Sequence, residues 1–332
     1  MDKVEGLKVL VTGGNGFTGS HLVRRLRNVG ASVRMLARDP AKCKDFRRIG
    51  VEIASGDIRD PAAVDRAVEG TEIVFHLAAA YRTAGLPDGD YRDIHVTGTE
   101  IVLSSCLRHG VRRVVHCSTV GVHGHIEKPP ATEESPFHPG DIYQVTKLEG
   151  ERKAVAFGQE SGLPVTIIRP CAIYGPGDMR LLKLFRIAAG RFKWLLGDGK
   201  NFYHMVYVDD LCDAFILAAT RKNVAGETFI IGGKEVLSLD QLVDLIAEVL
   251  CAPGSIVHFP ASPVRFLAML CERVCEPFRI PPPIYRRRVD FFTKSRSFDI
   301  RRATTLLGYS PAVEIREGVR RTADWYRRKG LL

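Results

Sequence analysis

Tyr143 and Lys147 form a Tyr-x-x-x-Lys pair. At positions i and i+4 of a helix the two side chains emerge on one face. An ammonium near a phenol favours the phenolate and draws the tyrosine pKa towards working pH. Tyr143 could then exchange a proton with a substrate hydroxyl or carbonyl, and Lys147 would also have donors for the hydroxyls of a bound cofactor. The pair alone is common by chance. Weight comes from Ser118-Thr119, which close an apolar run, with Thr119 lying 24 residues before Tyr143. Either hydroxyl could hydrogen-bond the reacting oxygen.

A second constellation sits near the N-terminus. The apolar run Lys8–Thr12 leads into Gly13-Gly14-Asn15-Gly16-Phe17-Thr18-Gly19. Gly13 permits a tight turn, Gly16 lets the chain approach a pyrophosphate, and Gly19 lets the following helix pack on the strand. The helix N-terminus, Phe17 and Thr18 included, then faces the phosphates. A glycine triplet is weak evidence by itself, and a purely structural turn is the plainer reading. Its place between a strand and a helix favours dinucleotide binding.

The next strand, Val33-Arg34-Met35-Leu36-Ala37-Arg38, ends in a cation where an acid would read the ribose hydroxyl of NAD. Arg38 can donate a fork of hydrogen bonds to a 2′-phosphate, with Lys42 one turn on. NADP is therefore the expected cofactor. NAD stays open if Arg38 only stacks on the adenine. Asp57 follows the third strand and can accept from the adenine amino group, with Ile58 covering the ring. Leu77, Ala78 and Ala79 close the fourth strand with small residues where the cofactor must pass.

These residues need a scaffold, and the first half of the chain supplies one. Strand patterns at Lys8–Thr12, Ser32–Ala37, Val51–Ser55, Ile73–Ala78, Arg113–Ser118 and Val165–Arg169 alternate with helix patterns at Gly19–Val29, Pro61–Glu69, Tyr91–His109 and Asp141–Ser161. Such alternation predicts an α/β fold with a doubly wound parallel (Rossmann) sheet. After Pro170 the alternation loosens. Helices are expected at Leu181–Ala189, Asp210–Thr220 and Leu239–Leu250, with a short strand at Thr228–Ile231. The expected division is a dinucleotide-binding domain over residues 1–170 and a smaller, irregular, mainly substrate-binding region over 171–332, with elements returning to the sheet.

The 332 residues are 45% hydrophobic and 26% charged, which excludes a disordered chain and a disulfide-stapled miniature. No apolar run reaches the roughly 18 residues of a membrane span. The N-terminus lacks the pattern of a signal peptide, so the cytoplasm is the expected compartment. The eight cysteines form no Cys-x-x-Cys pair and read as buried thiols. No His or Cys spacing suits zinc, so no metal site is assigned. Of the net charge of +10, residues 265–332 carry +9. No nucleic-acid module accompanies this basic tail, and a solvated face is its plainer reading.

Taken together, the chain resembles an extended short-chain dehydrogenase/reductase, of the group labelled NAD-dependent epimerase/dehydratase. The resemblance covers nearly the whole chain. It rests on Thr12–Gly19, Gly56–Ile58, His76–Ala79, Ser118-Thr119, Tyr143–Lys147 and Arg169-Pro170-Cys171-Ala172-Ile173-Tyr174-Gly175-Pro176. It implies that Thr119, with Ser118 beside it, anchors the substrate, that Tyr143 is the general acid/base, and that Pro170 and Ile173 lie beside the nicotinamide. It also implies a homodimer formed through the helices Tyr91–His109 and Asp141–Ser161. One departure is His95, where relatives often carry an Asn that positions a relay water. A histidine could bind that water, relay protons itself, or simply pack the helix.

The family divides into nucleotide-sugar enzymes and enzymes of apolar alcohols and ketones. Nucleotide-sugar members usually show Asn where this chain has Ala172, and Arg where it has Tyr203. A diphosphate needs such donors. The Arg169–Asp178 segment and the Lys294–Asp299 tail resemble the 3β-hydroxysteroid dehydrogenase and dihydroflavonol reductase branches. The expected activity is hydride transfer between the nicotinamide and a hydrophobic secondary alcohol or ketone, sterol-like or polyketide/flavonoid-like. Tyr81, His95, His123, Ala172, Tyr203 and Arg296 are the candidates on the substrate side. Alternatives are a nucleotide-sugar 4-epimerase or dehydratase with tightly bound NAD and, more remotely, a non-catalytic dinucleotide sensor. Phe266, Leu267, Leu270, Cys271, Val274 and Phe278 form an apolar stripe, readable as core or as a lid resting on a membrane surface beside Arg286–Arg288.

Overall fold

Val9, Leu10 and Val11 are wholly buried, as a strand must be when helices cover both faces of its sheet. They belong to β1 (Lys8–Thr12), and the computed structural model describes residues 4–81, 85–275 and 286–332, the side chains of 286–288 and 291 excepted. The chain continues through β2 (Ser32–Ala37), β3 (Glu52–Ser55), β4 (Ile73–His76), β5 (Arg113–Cys117) and β6 (Val165–Pro170). The strand β10 (Thr228–Ile231) joins later, and all seven pair in parallel in the order β10-β6-β5-β4-β1-β2-β3. The order reverses between β1 and β4. There a doubly wound sheet opens a crevice at the carboxyl ends of its strands.

Helices α1 (Phe17–Asn28) and α6 (Val208–Thr220) cover one face, where Leu22, Leu26 and Phe215 pack on Val9, Val11 and Phe75. Helices α2 (Pro61–Val68), α3 (Gly98–Arg108) and α4 (Ile142–Ser161) cover the other, with Val64, Val102 and Ala154 against Leu10 and Val74. Local chemistry sets their ends. Asp60 caps α2 by accepting from the Ala62 and Ala63 N–H groups, with Pro61 in the first turn. Asp141 caps α4 through the Gln144 N–H, and Gly162 ends it in the left-handed region at φ +73°.

The helix expected over Tyr91–His109 is interrupted. A first turn at Asp88–Arg92 runs into a wide turn at Asp93–Thr97, where the Gly98 N–H reaches back to the Asp93 carbonyl, before α3 begins. This turn carries His95.

The region after residue 170 is more regular than its sequence suggests. Strands β7 (Ala172–Tyr174), β9 (Phe202–Tyr207) and β11 (Val236–Ser238) form a small sheet, and β8 (Phe192–Leu196) pairs with β12 (Ser255–Phe259). Helices α5 (Leu182–Ala188), α7 (Leu239–Leu250) and α10 (Ile315–Arg328) share a core built on Phe185, Ile246 and Tyr326. The apolar stripe lies on α8 (Ala261–Cys275), and it is not core. Phe266, Leu267, Leu270 and Val274 are exposed, and Phe278 lies outside the described residues. Helix α9 (Arg286–Thr293) leads into the extended segment that follows it. No helix among the described residues is long and apolar enough to cross a membrane.

Candidate active site

A cleft of about 910 Å³ opens at the carboxyl ends of β1–β6. Its floor is the loop from β1 to α1. Gly13 has φ +72°, and a Cβ there would stand 2.8 Å from the Ala78 Cα. A Cβ on Gly19 would stand 2.2 Å from the Gly13 carbonyl oxygen. Side chains at these two positions would force the β1 and β4 exits and α1 apart. Helix α1 starts without a side-chain cap and without an acid in its first turn, so its N–H groups and positive end face the cleft. Gly16, Phe17, Thr18, Leu77, Ala78 and Ala79 all line it. This cradle fits a dinucleotide.

At the β2–β3 end, Arg38, Asp57 and Ile58 line the same cleft. Asp57 is clamped by Arg59, Oδ1 to Nε and Oδ2 to Nη2 each at 3.0 Å, and this pair holds its carboxyl below the usual range. Arg59 was not among the expected site residues. Its position two residues after Asp57 is the one local signal for it.

The YxxxK pair and the Ser-Thr pair meet in the middle. Tyr143 lies on the first turn of α4, with the Tyr81 ring edge-on at 5.0 Å and the His95 ring at 5.6 Å. Lys147, one turn further, is buried and donates from Nζ to the Cys117 carbonyl at 2.6 Å. Burial pushes its ammonium below the ordinary lysine range. Ser118 and Thr119 follow Cys117 at the end of β5. The Ser118 hydroxyl is buried and has no hydrogen-bond partner among the described residues, while Thr119 Oγ1 accepts from the Gly121 N–H at 3.0 Å and keeps its own proton to donate. Pro170 and Ile173 line the wall across from them.

Behind Lys147 lies a buried polar layer. His76 bonds Thr12 Oγ1 at 2.8 Å and Thr99 Oγ1 at 3.0 Å. His95 accepts from the Ala80 N–H at Nε2, so its proton sits on Nδ1 and is donated to Thr146 Oγ1 at 2.8 Å. Burial brings both histidines down to about 3. His116 is buried beside His76, and among the described residues neither of its ring nitrogens has a partner.

Of the substrate-side candidates, Tyr81, Ala172, Tyr203 and Arg296 line the cleft; His95 and His123 do not. The two nitrogens of His95 are both occupied inside the fold, which leaves its imidazole as a support beneath Tyr143. His123 accepts from Arg169 Nη1 at Nε2 and turns Nδ1 to the Pro136 carbonyl. It thus supports Arg169, which forms a buried ion pair with Glu151. Residues that sequence reasoning did not place in the cleft include Gln144, Asp290 and Lys294. Gln144 neighbours Tyr143 in sequence, but nothing local marks the other two.

The sequence matches the family described as "NAD dependent epimerase/dehydratase family" over residues 9–232. It is 31% identical to a 3beta-hydroxysteroid-dehydrogenase/decarboxylase of Arabidopsis thaliana, over 95% of this chain and 78% of that one. It is 32% identical to a 2-alkyl-3-oxoalkanoate reductase of Stenotrophomonas maltophilia, over 95% of this chain and 98% of that one. Among solved structures it is similar to a dTDP-glucose 4,6-dehydratase of Streptomyces venezuelae with NAD bound, at 29% identity and a TM-score of 0.76, covering 97% of each chain.

Proposed function

Since the chain belongs to the NAD dependent epimerase/dehydratase family and is a nicotinamide-dependent oxidoreductase, we propose that its substrate is a hydrophobic secondary alcohol or ketone and its preferred cofactor NADP. The observation that carries this reading is the convergence of Tyr143, Lys147 and Ser118-Thr119 on the cleft that the glycine loop floors. A reduced nicotinamide bound there supplies the hydride. Tyr143 gives its phenolic proton to the oxygen of the reacting carbonyl, or takes it back in the oxidative direction. Thr119, with Ser118, donates a hydrogen bond to that oxygen and fixes its distance from Tyr143. Lys147 holds the ribose hydroxyls at the inner end and, as a cation near the phenol, favours the phenolate once the proton has left. Gly13, Gly16 and Gly19 take the pyrophosphate against α1, Asp57 and Ile58 hold the adenine, and Arg38 meets the 2′-phosphate.

The names of the two relatives support the substrate class: one acts on a hydroxysteroid, the other on an oxoalkanoate carrying an alkyl branch. Ala172 and Tyr203, where nucleotide-sugar enzymes carry diphosphate donors, argue in the same direction. The runner-up, a nucleotide-sugar epimerase or dehydratase, has the Streptomyces structure in its favour. We further propose a homodimer built on α3 and α4. A peripheral membrane contact is supported by the exposed Phe192, Trp194, Phe259, Phe266, Leu267, Leu270 and Val274 on β8, β12 and α8; the side chains of Arg286–Arg288 lie outside the described residues. The eight free cysteines support the cytoplasm.

A thermal-shift panel with NADPH tests the substrate class, because a ligand bound only by the folded state raises its melting temperature. Steroid-like ketones or branched 3-oxo acids should shift it, and UDP-, dTDP- and GDP-sugars should not. A shift with one nucleotide sugar and none with the ketones would transfer the assignment to the runner-up.

A further inference from the structure

Among the described residues, five cations line the cleft: Arg38, Lys147, Arg180, Lys294 and Arg296. Arg38 stands at the β2 end, beside the adenine residues. Lys147 donates to the Cys117 carbonyl and is assigned above to the ribose. Arg180 is bound to Asp178 Oδ1 at 2.6 Å and to the Ile173 carbonyl at 2.6 Å. Lys294 is paired with Asp290 at 2.9 Å. Arg296 differs. Among the described residues no carboxylate lies within ion-pair reach of it, and its guanidinium rests over the Tyr203 ring at 5.9 Å.

Its position is nonetheless fixed. The Arg296 N–H donates to the Phe202 carbonyl at 2.8 Å, and the Arg296 carbonyl accepts from the His204 N–H at 2.9 Å. On the other side of the segment, the Ser295 carbonyl accepts from Ile126 and the Ser297 carbonyl from Ala131. An extended segment held on both edges turns alternate side chains to one side. Lys294 and Arg296 thus both point into the cleft, next to Ala172, whose strand β7 pairs with β9. A half-buried guanidinium with no acid among the described residues is a charge whose lost hydration those residues leave uncompensated, apart from one aromatic face. Its planar fork of donors matches a carboxylate.

We propose that Arg296, stacked on Tyr203, binds an anionic group of the substrate, so that the ketone or alcohol handled here is a carboxylic acid. This rests on the oxidoreductase reading above. Tyr203 supplies the flat platform that orients the guanidinium, and Arg296 supplies the charge-matched donors that a nucleotide-sugar site would place at position 203.

The test compares a 2-alkyl-3-oxo acid with its methyl ester, which differs by the loss of charge, in steady-state assays with NADPH and with NADH. Wild type should favour the acid in kcat/KM by about ten- to hundredfold, mainly through KM, the range of one charge-assisted hydrogen-bond pair. In Arg296→Gln the acid-over-ester ratio should collapse towards one, and Arg296→Lys should keep an intermediate ratio. A wild-type ratio near one, or an unchanged ratio in Arg296→Gln, overturns the anion site and leaves the oxidoreductase reading standing. Failure of wild type to reduce either compound with either cofactor overturns both.

Discussion

Lys147 donates to the carbonyl of Cys117 over 2.6 Å, and that bond ties the helix bearing Tyr143 to the strand end bearing Ser118 and Thr119. The three groups proposed to meet one substrate oxygen are thereby set by the first turn of α4 and by the two residues that directly follow β5. The same bond explains why an ammonium is kept at a place where burial disfavours it.

Replacing Lys147 by Met should therefore separate stability from activity. A flexible apolar side chain of similar length removes a desolvated charge, and that gain offsets the loss of the bond to the Cys117 carbonyl. The melting temperature should hold or rise, while kcat/KM falls by about a hundredfold or more as proton transfer and ribose anchoring are lost. A variant that loses stability and keeps its turnover would contradict the role given to Lys147.

Arg38 should discriminate between cofactors. Arg38→Ala removes the donors for a 2′-phosphate and should weaken NADPH by about tenfold or more, with a much smaller effect on NADH. Fluorescence titration with both reduced cofactors reads this directly. Equal losses, or a wild-type preference for NADH, would exclude NADP as the preferred cofactor.

Much of this site was legible in the sequence because its signals are local. Gly13, Gly16 and Gly19 sit within seven residues between a strand and a helix, and Tyr143 and Lys147 lie one helical turn apart. The six leading strands fall within a residue or two of the expected bounds. The far wall was not legible. Arg296 is positioned by Phe202 and His204, residues distant in sequence, through backbone bonds that leave no trace in composition. Strands β8, β9 and β12 mix apolar and polar residues without clean alternation. His95 read as a candidate proton relay because its type suits that chemistry; its partners Ala80 and Thr146, which occupy both nitrogens, emerge only in three dimensions.

The histidine layer predicts a pH dependence of stability. His76 and His95 are brought down to about 3 by burial, and His116 falls well below its ordinary value for the same reason. In the unfolded chain each titrates near about 6.5. Below that pH the unfolded state takes up protons that the folded state refuses. Stability is thus fully present above about pH 6.5 and is lost as pH falls towards 3, by up to about 1.4 kcal/mol per pH unit for each histidine. His116→Leu removes one such group along with two unpartnered nitrogens, so its melting temperature should fall less steeply than that of wild type between about pH 6 and pH 4. Parallel curves would show that His116 is not held neutral.

The most direct test of the account is the oxidation of NADPH, followed by its near-ultraviolet absorbance, with hydrophobic ketones and branched 3-oxo acids as substrates, in wild type and in Tyr143→Phe. Wild type should consume cofactor and substrate one for one. The variant should bind cofactor with comparable affinity and lose about a hundred- to ten-thousandfold in turnover, the span of general acid/base catalysis. Undiminished turnover in Tyr143→Phe would contradict the proton-transfer role of the phenol. Conversion of a nucleotide sugar with no net change in nicotinamide, and none of the ketones, would contradict the function itself.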